Sequence, residues 1–355
     1  MITTTLRGSR IAGICTVVPK RTAGIADLES IFGPEEAAKV AKSTGVLQRR
    51  IAGGGLCTSD LCFASARQLL NDLGWDPATV QAVVFVSQTP DYRLPATACV
   101  LHGKLGLPKN CVAFDVNLGC SGYIYGLWMV AQFIQASGLQ RALLLVGDTS
   151  TYYLSDKDRS TYPIFGDAGT ATAIESVRDS QISFALGSDG AGSENLLVPA
   201  GCFRLPHNEK TACRSERENG NWRSDENLFM NGAEVFAFTL REVPALIDGI
   251  LAVAGWERVS VDQFVFHQAN KFMLDHLAKK MKLPIEKVPL SIADYGNTSS
   301  ASIPLTISAC LREKLTQSQT QKMVLAGFGV GWSWGACAIE MGSLVLPPIL
   351  EISEP

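Results

Sequence analysis

One cysteine of this chain lies in surroundings that suit nucleophilic chemistry. Cys120 lies in VNLGCSGYIYGL, between an apolar strand and a predicted helix start. A thiol at a helix N-terminus faces unpaired backbone N–H groups and the positive end of the helix dipole. We therefore expect a lowered pKa for Cys120 and a larger thiolate fraction, which is what a nucleophile needs.

Two later segments carry polar side chains suited to act with this thiol. His267 ends the apolar run 263–266, and its counterpart in an earlier, similar segment is Val86. A histidine at a strand tip suggests a site, with a core histidine bonded to backbone as the alternative. Asn297 lies in Gly-Asn-Thr, where a structural Asx-turn is the alternative. The Gly-rich turn 327–331 lacks the GxGxxG pattern and a Walker lysine, so it either cradles phosphate in another way or presents backbone N–H groups to an oxyanion.

Composition and charge favour a soluble enzyme with a large core. The 355 residues are 46% hydrophobic and 18% charged, with a formal net charge of −3. This charge gives no field for nucleic acid, and no apolar run is long enough for a membrane span. The ten cysteines are scattered without Cys/His metal spacing, so we expect reduced thiols in a cytoplasmic protein without a metal. The apolar residues 11–19 fit a buried first strand better than a signal peptide.

The chain contains an internal repeat. Residues 73–88, LGWDPATVQAVVFVSQ, align with residues 254–269, AGWERVSVDQFVFHQA. LLLVG at 143–147 aligns with MVLAG at 323–327. The matches occur in the same order in both halves, which indicates duplication of one unit.

Each repeated unit alternates helices with short apolar strands. SDLCFASARQLLNDLG is typical of a helix that Ser59 caps and Gly74 stops, and YIYGLWMVAQFIQASG is typical of a helix buried on every side. This alternation predicts an α/β fold with largely parallel sheets covered by helices, and two such sheets that share buried helices make a layered sandwich. We expect one half at residues 1–177, with the cysteine, and the other at 178–355, with the histidine and the asparagine.

Together these segments resemble the β-ketoacyl-acyl-carrier-protein synthase III family of the thiolase superfamily. The likeness covers almost the whole chain and rests on DVNLGCSG, HQAN, GNTSSASIP and GFGVGWSWGA. The cysteine, HQAN and GNTS set in this order is very specific. The resemblance implies a duplicated thiolase-like five-layer αβαβα sandwich, which agrees with the repeat.

The resemblance also implies roles for the matching positions. Cys120 would take an acyl group from an acyl-CoA as a thioester. His267 and Asn297 would hold the carbonyl of malonyl-ACP or malonyl-CoA and stabilise the enolate as carbon dioxide leaves. A Claisen condensation would then give a 3-oxoacyl product, with the backbone amides of Cys120 and Val330 as the oxyanion hole. No cofactor is implied, because the CoA thioester and the phosphopantetheine of the carrier protein are substrates.

Further positions match the family's substrate and partner contacts. The implied substrate-binding residues are Arg159, Phe165, Gly232, Asn270, Phe328 and Leu94. In a homodimer, Leu94 would cap the acyl pocket of the second copy. Lys271, Lys279 and Lys280 fall on about one helix face and would attract an acidic carrier protein or CoA phosphates, with a solvated helix face as the alternative. The polar stretch 203–227 is predicted to be a mobile lid over the pantetheine tunnel.

Some positions depart from the family pattern. Thr44-Gly45 lack the preceding Trp and Arg that often stack on the CoA adenine. Ala237 stands where a carrier-docking Lys is frequent, and Val330 stands where Gly is usual. CoA and carrier recognition therefore look altered, which suggests a specialised member of the family.

Other functions use the same residue types. Some relatives pass the acyl group from the cysteine to a hydroxyl or amine without decarboxylation, and His267 would then be a general base. A non-catalytic partner subunit usually loses the cysteine, and a papain-like hydrolase does not suit the duplicated α/β pattern. Condensation is thus the leading expectation and acyl transfer is the alternative.

Overall fold

Strands and helices alternate along the chain, as the repeat predicts. The computed structural model describes residues 1–354. Its strands are β1 (Ile2–Pro19), β2 (Thr22–Gly24), β3 (Gln48–Arg50), β4 (Ala82–Val86), β5 (Val112–Val116), β6 (Arg141–Asp148), β7 (Ala168–Ser188), β8 (Leu196–Leu197), β9 (Ser215–Glu216), β10 (Trp222–Arg223), β11 (Phe229–Met230), β12 (Gln263–Phe266), β13 (Gln321–Gly329), β14 (Ser333–Met341) and β15 (Leu350–Ile352). Its α-helices are α1 (Ile25–Phe32), α2 (Pro34–Thr44), α3 (Thr58–Leu73), α4 (Thr97–Lys104), α5 (Gly122–Ser137), α6 (Glu209–Ala212), α7 (Gly232–Ala254), α8 (Lys271–Lys280), α9 (Ile292–Tyr295), α10 (Ser302–Cys310) and α11 (Arg312–Thr316).

The same strand pattern occurs twice in the main sheet. In the first half, β4 pairs in parallel with β5 and β6, and β6 pairs antiparallel with β7. In the second half, β12 pairs in parallel with β13, and β14 lies antiparallel between β13 and β7. Every residue of β4 and β12 is buried, as expected for strands covered on both faces. The aligned repeats therefore occupy equivalent places, which confirms the predicted duplication.

Two long strands, β1 and β7, serve both halves. Ile2 to Arg7 of β1 pair with Leu186 to Gln181 of β7, and after a register shift Ser9 to Val17 pair with Ser176 to Gly169. β7 neighbours β14 over its C-terminal part and β6 over its N-terminal part. The division between residues 177 and 178 therefore falls inside one continuous strand, and two separable halves stay a prediction.

Buried helices lie between the strands of the two halves. Leu127 of α5 and Ile303 of α10 share one apolar core with Val84 of β4 and Val265 of β12. A second core packs α3 and α4 on the first half, and a third packs α7 and α8 on the second half. The order of helix, sheet, helix, sheet and helix confirms the five-layer αβαβα sandwich. It also explains why the sequence of α5 is apolar almost all round.

One predicted helix start is wrong by two residues. The N-cap of α3 is Cys57, not Ser59, and the Asp60 carboxylate accepts the Cys57 N–H at 3.0 Å. Ser59 lies inside the first turn and is buried. The helix ends before Gly74, as predicted, because this glycine adopts the left-handed conformation that closes helices.

The polar stretch 203–227 has more structure than its sequence indicates. It contains α6 and the β9–β10 pair. A buried ion pair joins Arg223 Nη1 to Asp158 Oδ2 at 3.2 Å, and the Thr211 hydroxyl donates to Glu226 at 2.6 Å. The Arg223–Asp158 pair anchors the stretch to the first half, whereas the Thr211–Glu226 bond lies within the stretch. Its movement as a lid stays a prediction.

Candidate active site

Cys120, His267 and Asn297 converge on one cavity. Cys120 follows β5 and precedes Ser121, the N-cap of α5, while His267 directly follows β12. Asn297 follows α9 and forms an isolated parallel bridge with Phe165. The three side chains line a narrow cavity of about 40 Å³, to which both halves contribute. Residues that follow the carboxyl ends of parallel strands meet at one sheet edge, the usual place of ligand sites in α/β proteins.

The Cys120 thiol is enclosed and only 6% exposed. Burial raises the pKa of Cys120 to about 11, and the charge of Asp148 raises it too. Hydrogen bonds from the Val330 N–H, from the Ser299 side chain and from its own N–H act in the opposite direction. The predicted lowering of this pKa is therefore wrong, because desolvation outweighs the helix N-terminus. The thiol is protonated near neutral pH.

The backbone at Gly329 and Val330 lies directly against the Cys120 sulfur. A Cβ at Gly329 would come within 2.7 Å of Cys120 Cβ and 2.9 Å of its Sγ, so a larger residue would force the strand away. The approach brings the Val330 N–H to the sulfur. Two backbone N–H groups thus face Sγ, which agrees with the pair expected at this position; their role as an oxyanion hole stays a prediction.

His267 is buried and neutral. Burial lowers the pKa of the ring to about 3, and a backbone hydrogen bond with Ser299 acts against this shift. Nδ1 lies 2.7 Å from Ser302 Oγ, and the ring meets Phe328 edge-on at a centroid distance of 5.8 Å. A neutral imidazole has one N–H donor and one acceptor nitrogen, and the partner of Nδ1 decides which nitrogen carries the proton.

Asn297 both forms a structural Asx-turn and lines the cavity. Its Oδ1 accepts the Ser299 N–H at 2.9 Å, which is an Asx-turn. Its Nδ2 donates to the Ala269 carbonyl at 3.4 Å, and its backbone N–H donates to the Ile164 carbonyl at 2.8 Å. These bonds orient the amide at the cavity wall, so the structural turn also positions a donor for the site.

Four other predicted residues reach this region. Phe165, Asn270 and Phe328 line the narrow cavity, and Asn270 also caps α8 by accepting the Met273 N–H at 2.8 Å. Val330 lines a second, larger cavity, to which Phe165 contributes as well.

Three predicted substrate-binding residues lie outside both cavities. Arg159 donates to the Asn219 carbonyl and lies 3.7 Å from a Glu36 oxygen. Gly232 is the first residue of α7, and Leu94 is 82% exposed. The structure does not bring these three to the cysteine, and their roles stay predictions.

The predicted docking lysines all lie on α8, but their surroundings differ. Lys271 Nζ forms an ion pair with Asp275 at 2.5 Å. Lys280 Nζ donates to the Leu240 carbonyl at 2.9 Å, and Lys279 is exposed beside it in the last turn. The Lys271 charge is therefore compensated, and the cationic part of this face is its C-terminal end.

The larger cavity, of about 550 Å³, meets the narrow one at Cys120. Cys120, Phe165 and Leu196 line both spaces. The thiol therefore stands where a narrow space with His267 and Asn297 joins a wide one.

The structure adds three residues to which sequence analysis gave no role. Ser299 and Ser302 belong to the serine-rich run after Asn297, and they contact Cys120 and His267. Asp148 ends β6 and is 1% exposed. The serine run was the available signal for the first two, and the position of Asp148 at a strand end was the signal for the third.

The described residues contain neither a candidate metal cluster nor a membrane-spanning helix. Within residues 1–354, no group of three or more His, Cys, Asp or Glu side chains is arranged to hold a metal ion. No helix in that stretch has both the length and the apolar character that a bilayer crossing requires.

A cysteine that shares a cavity with a histidine and an asparagine in a duplicated αβαβα sandwich indicates a condensing enzyme of the thiolase superfamily, and comparison with known proteins supports this class. A family model described as 3-oxoacyl-[acyl-carrier-protein (ACP)] synthase III matches residues 114–190, and its C-terminal counterpart matches residues 251–341. A putative 3-oxoacyl-[acyl-carrier-protein] synthase 3 from Campylobacter jejuni is 35% identical over 346 residues, which is 96% of each chain.

Solved structures agree with this assignment. A 3-oxoacyl-(acyl-carrier protein) synthase from Burkholderia xenovorans LB400 is 45% identical, with 99% of each chain covered and a TM-score of 0.93. A 3-oxoacyl-(acyl carrier protein) synthase III from Pseudomonas aeruginosa is 31% identical, with 96% of this chain and 100% of that chain covered and a TM-score of 0.81. This chain therefore belongs to the 3-oxoacyl-[acyl-carrier-protein] synthase III family and is an acyltransferase of that type.

Proposed function

We propose that this enzyme joins an acyl group to a malonyl unit by decarboxylative Claisen condensation and releases a 3-oxoacyl thioester. One observation carries the proposal: Cys120, His267 and Asn297 line a single cavity, and the Val330 N–H points at the cysteine sulfur. A nucleophile, two neutral side chains with N–H groups and a backbone donor pair are the groups that both half-reactions require.

In the first half-reaction, Cys120 takes the acyl group from an acyl-CoA. Its sulfur forms a bond to the thioester carbonyl carbon, the bond from that carbon to the CoA sulfur breaks, and the thiol proton ends on CoA. The N–H groups of Cys120 and Val330 stabilise the charge on the carbonyl oxygen. Because burial raises the pKa of Cys120 to about 11, the thiol gives up its proton only in the course of this step.

In the second half-reaction, the thioester carbonyl of a malonyl substrate enters the narrow cavity. The bond to its carboxylate breaks, carbon dioxide leaves, and the electron pair forms an enolate. Asn297 Nδ2 and His267 Nε2 donate hydrogen bonds to the enolate oxygen. The His267 donor needs its proton on Nε2, and Nδ1 then accepts a hydrogen bond from the Ser302 hydroxyl, whose oxygen lies 2.7 Å away. The enolate carbon then forms a bond to the carbonyl carbon of acyl-Cys120, and the bond from that carbon to the cysteine sulfur breaks. The sulfur leaves as a thiolate and takes up a proton from solvent.

Acyl transfer to a hydroxyl or amine is the alternative outcome. It requires His267 to remove a proton from the acceptor. Burial lowers the pKa of His267 to about 3, which makes the ring a weak base but leaves its N–H able to donate. The site therefore favours condensation over simple transfer.

The proposal extends to partners and location. The acyl donor is an acyl-CoA, and the malonyl unit arrives on CoA or on a carrier protein that Lys279 and Lys280 attract. The first half exposes large apolar side chains, with Leu94 at 82%, Tyr92 at 61% and Val112 at 52%, which favours a homodimer. All ten cysteines are free thiols, which suits the reducing cytoplasm.

The test separates the two half-reactions. Intact-protein mass spectrometry after incubation with a panel of acyl-CoAs detects acyl-Cys120, and labelled carbon dioxide from a malonyl thioester detects decarboxylation. We expect Cys120→Ala to lose loading. His267→Ala and Asn297→Ala should still load but release carbon dioxide roughly 10²–10³-fold more slowly.

Two results would contradict the proposal. An acyl adduct on the Cys120→Ala variant would place the nucleophile elsewhere. Acyl transfer from loaded enzyme to a hydroxyl or amine acceptor, without carbon dioxide release from either malonyl thioester, would establish the alternative reaction instead.

A further inference from the structure

The lining of the larger cavity divides into an apolar and a polar set. The apolar set includes Leu196 and Leu197 of β8 and Leu228. The polar set includes Gln88, Asn117 and Ser150. These three follow the carboxyl ends of β4, β5 and β6, which are neighbours in the sheet. The polar side chains therefore come from one sheet edge, beside the loop that carries Cys120.

Gln88 is the polar residue of this set that lies beside the nucleophile. A Cβ at Gly119 would overlap with Gln88 Oε1, so the amide packs against the residue before Cys120. Asp148 accepts the Gln88 N–H at 2.7 Å, and the Tyr153 hydroxyl donates to the Gln88 carbonyl at 2.8 Å. The backbone of Gln88 is thus held on both sides, and the packing of its Oε1 against Gly119 places the amide beside the nucleophile.

The size and polarity of this cavity do not match a short or plain alkyl chain. Its volume of about 550 Å³ lies within the range of roughly 300–1,000 Å³ for small-molecule sites, so an acetyl group would fill a small part of it. A plain alkyl chain against Gln88 would displace water from the amide without replacing its hydrogen bonds, which is unfavourable.

We infer that the acyl group loaded on Cys120 is a medium-length chain that carries a hydroxyl within the first few carbons. A hydroxyl both donates and accepts, so it matches the amides of Gln88 and Asn117, which do the same. The carbon chain packs on the leucines of the apolar set. The inference rests on the proposed function and deepens it, because it names the class of acyl donor.

The test follows acylation alone, without a malonyl substrate. 3-Hydroxyhexanoyl-CoA, hexanoyl-CoA and acetyl-CoA are compared by the rate at which each adds its mass to Cys120. We expect kcat/KM for acylation to be at least about tenfold higher with the hydroxylated chain than with hexanoyl, because a site built to hydrogen-bond a hydroxyl rejects the analogue that lacks it. Equal rates, or a preference for hexanoyl, would overturn the inference.

Two variants test which side chains form hydrogen bonds with the substrate hydroxyl. Gln88→Met keeps an unbranched chain of similar length and removes the amide. It should lower the ratio of hydroxyhexanoyl to hexanoyl acylation about tenfold, and Asn117→Leu, at an exposed position, should lower it in the same direction. Leu228→Ala is the matched control: it should slow both six-carbon chains and keep their ratio. A ratio unchanged in both polar variants would overturn the assignment, and thermal unfolding establishes that each variant is folded.

Failure of this inference differs from failure of the proposed function. If no acyl-CoA of any kind acylates Cys120, the proposed function fails and the inference fails with it. If hexanoyl and hydroxyhexanoyl load equally well on the wild-type enzyme, the inference alone fails, and the loading half-reaction stands.

Discussion

Asp148, in the first half of the chain, accepts two hydrogen bonds from Ser300 in the second half. Its Oδ2 lies 2.5 Å from Ser300 Oγ and 3.2 Å from the Ser300 N–H nitrogen. Its Oδ1 accepts the Gln88 N–H at 2.7 Å and the Ser87 hydroxyl at 3.2 Å. The same carboxylate raises the pKa of Cys120. One buried acid therefore joins both halves beside the nucleophile.

Replacing this acid should affect both stability and thiol reactivity. In Asp148→Asn, either the two donors of Ser300 or the donors of Ser87 and Gln88 face an NH₂ group, which cannot accept their hydrogen bonds. We expect a loss of about 1–3 kcal/mol in the free energy of unfolding, measured by urea denaturation. Removing the charge should also lower the Cys120 pKa, so that iodoacetamide modifies Cys120 at lower pH than in the wild type. Asp72→Asn, on the exposed surface of α3, is the control and should change neither quantity. Unaltered stability and reactivity in Asp148→Asn would show that the carboxylate has neither role.

Ser302 should act through His267 and not on substrate. Ser302→Ala removes the hydroxyl 2.7 Å from His267 Nδ1, so the ring loses the partner that selects its tautomer. We expect decarboxylation to slow about tenfold while acyl loading on Cys120 continues at its usual rate. Nitrogen-15 NMR of the imidazole should show a shifted tautomer population.

A second serine of the same helix supplies the control. Ser308 is buried on α10 like Ser302, but its hydroxyl bonds Thr16 Oγ1 at 2.8 Å. Ser308→Ala should destabilise the protein by a similar amount and leave both decarboxylation and the His267 tautomer unchanged. Equal catalytic losses in the two variants would indicate a general structural effect and contradict the positioning role.

Acid should destabilise the protein through His267. Its pKa is about 3 in the folded state, well below the ordinary value near 6.5. Between pH 6.5 and 3 the unfolded chain therefore binds a proton that the folded chain does not, and stability falls as pH falls, by up to about 1.4 kcal/mol per pH unit. His267→Gln should remove this contribution, and His276→Gln, at an exposed histidine of α8, should not. Urea denaturation of the three proteins at pH 4.5, 5.5 and 7 measures the slopes; parallel slopes in all three would contradict the prediction.

Patterns that depend on neighbouring residues were predictable from the sequence. The aligned repeats gave the two-fold strand pattern, and the apolar α5 gave the buried central layer, because periodicity and burial are local properties. The positions of Cys120 and His267 at strand and helix ends followed from the same apolar runs. The family resemblance assigns these residues and Asn297 to one site, and all three line one cavity, while their catalytic roles stay predictions.

Properties that depend on distant residues were not predictable. The Cys120 pKa was expected to fall because the helix N-terminus is visible in the sequence, whereas the enclosure that raises it comes from both halves. The Asp148–Ser300 link spans 152 positions along the chain, and no local pattern encodes it. The continuity of β7 across the predicted boundary at 177 is hidden because its middle is polar and exposed, as a linker would be.

A homodimer should form through the first half. Leu94→Glu places a charge on the most exposed of its large apolar residues and should raise the dimer dissociation constant. Multi-angle light scattering at micromolar concentration should show a dimer for the wild type and a larger monomer fraction for the variant. Val259→Glu changes a valine of the second half that is 79% exposed, and it should remain dimeric. A monomeric wild-type protein would contradict the prediction.

The C-terminal end of α8 should guide the acidic substrate by charge. Lys279 and Lys280 are exposed in its last turn, while Lys271 is paired with Asp275. Reversing both charges, Lys279→Glu with Lys280→Glu, should raise KM for the carrier-protein or CoA substrate several-fold at low salt and leave kcat nearly constant, since the lysines lie away from the reacting atoms. The difference should shrink as salt rises, because exposed charges are screened over about 10 Å at 0.1 M salt. Lys109→Glu is the control for a change of charge alone. This exposed lysine belongs to the first half, whose outer helices lie on the opposite side of the sandwich from α8. Reversal of its charge should therefore leave KM unchanged. Equal KM for the wild type and the double variant at low ionic strength would show that these lysines form an ordinary solvated helix face.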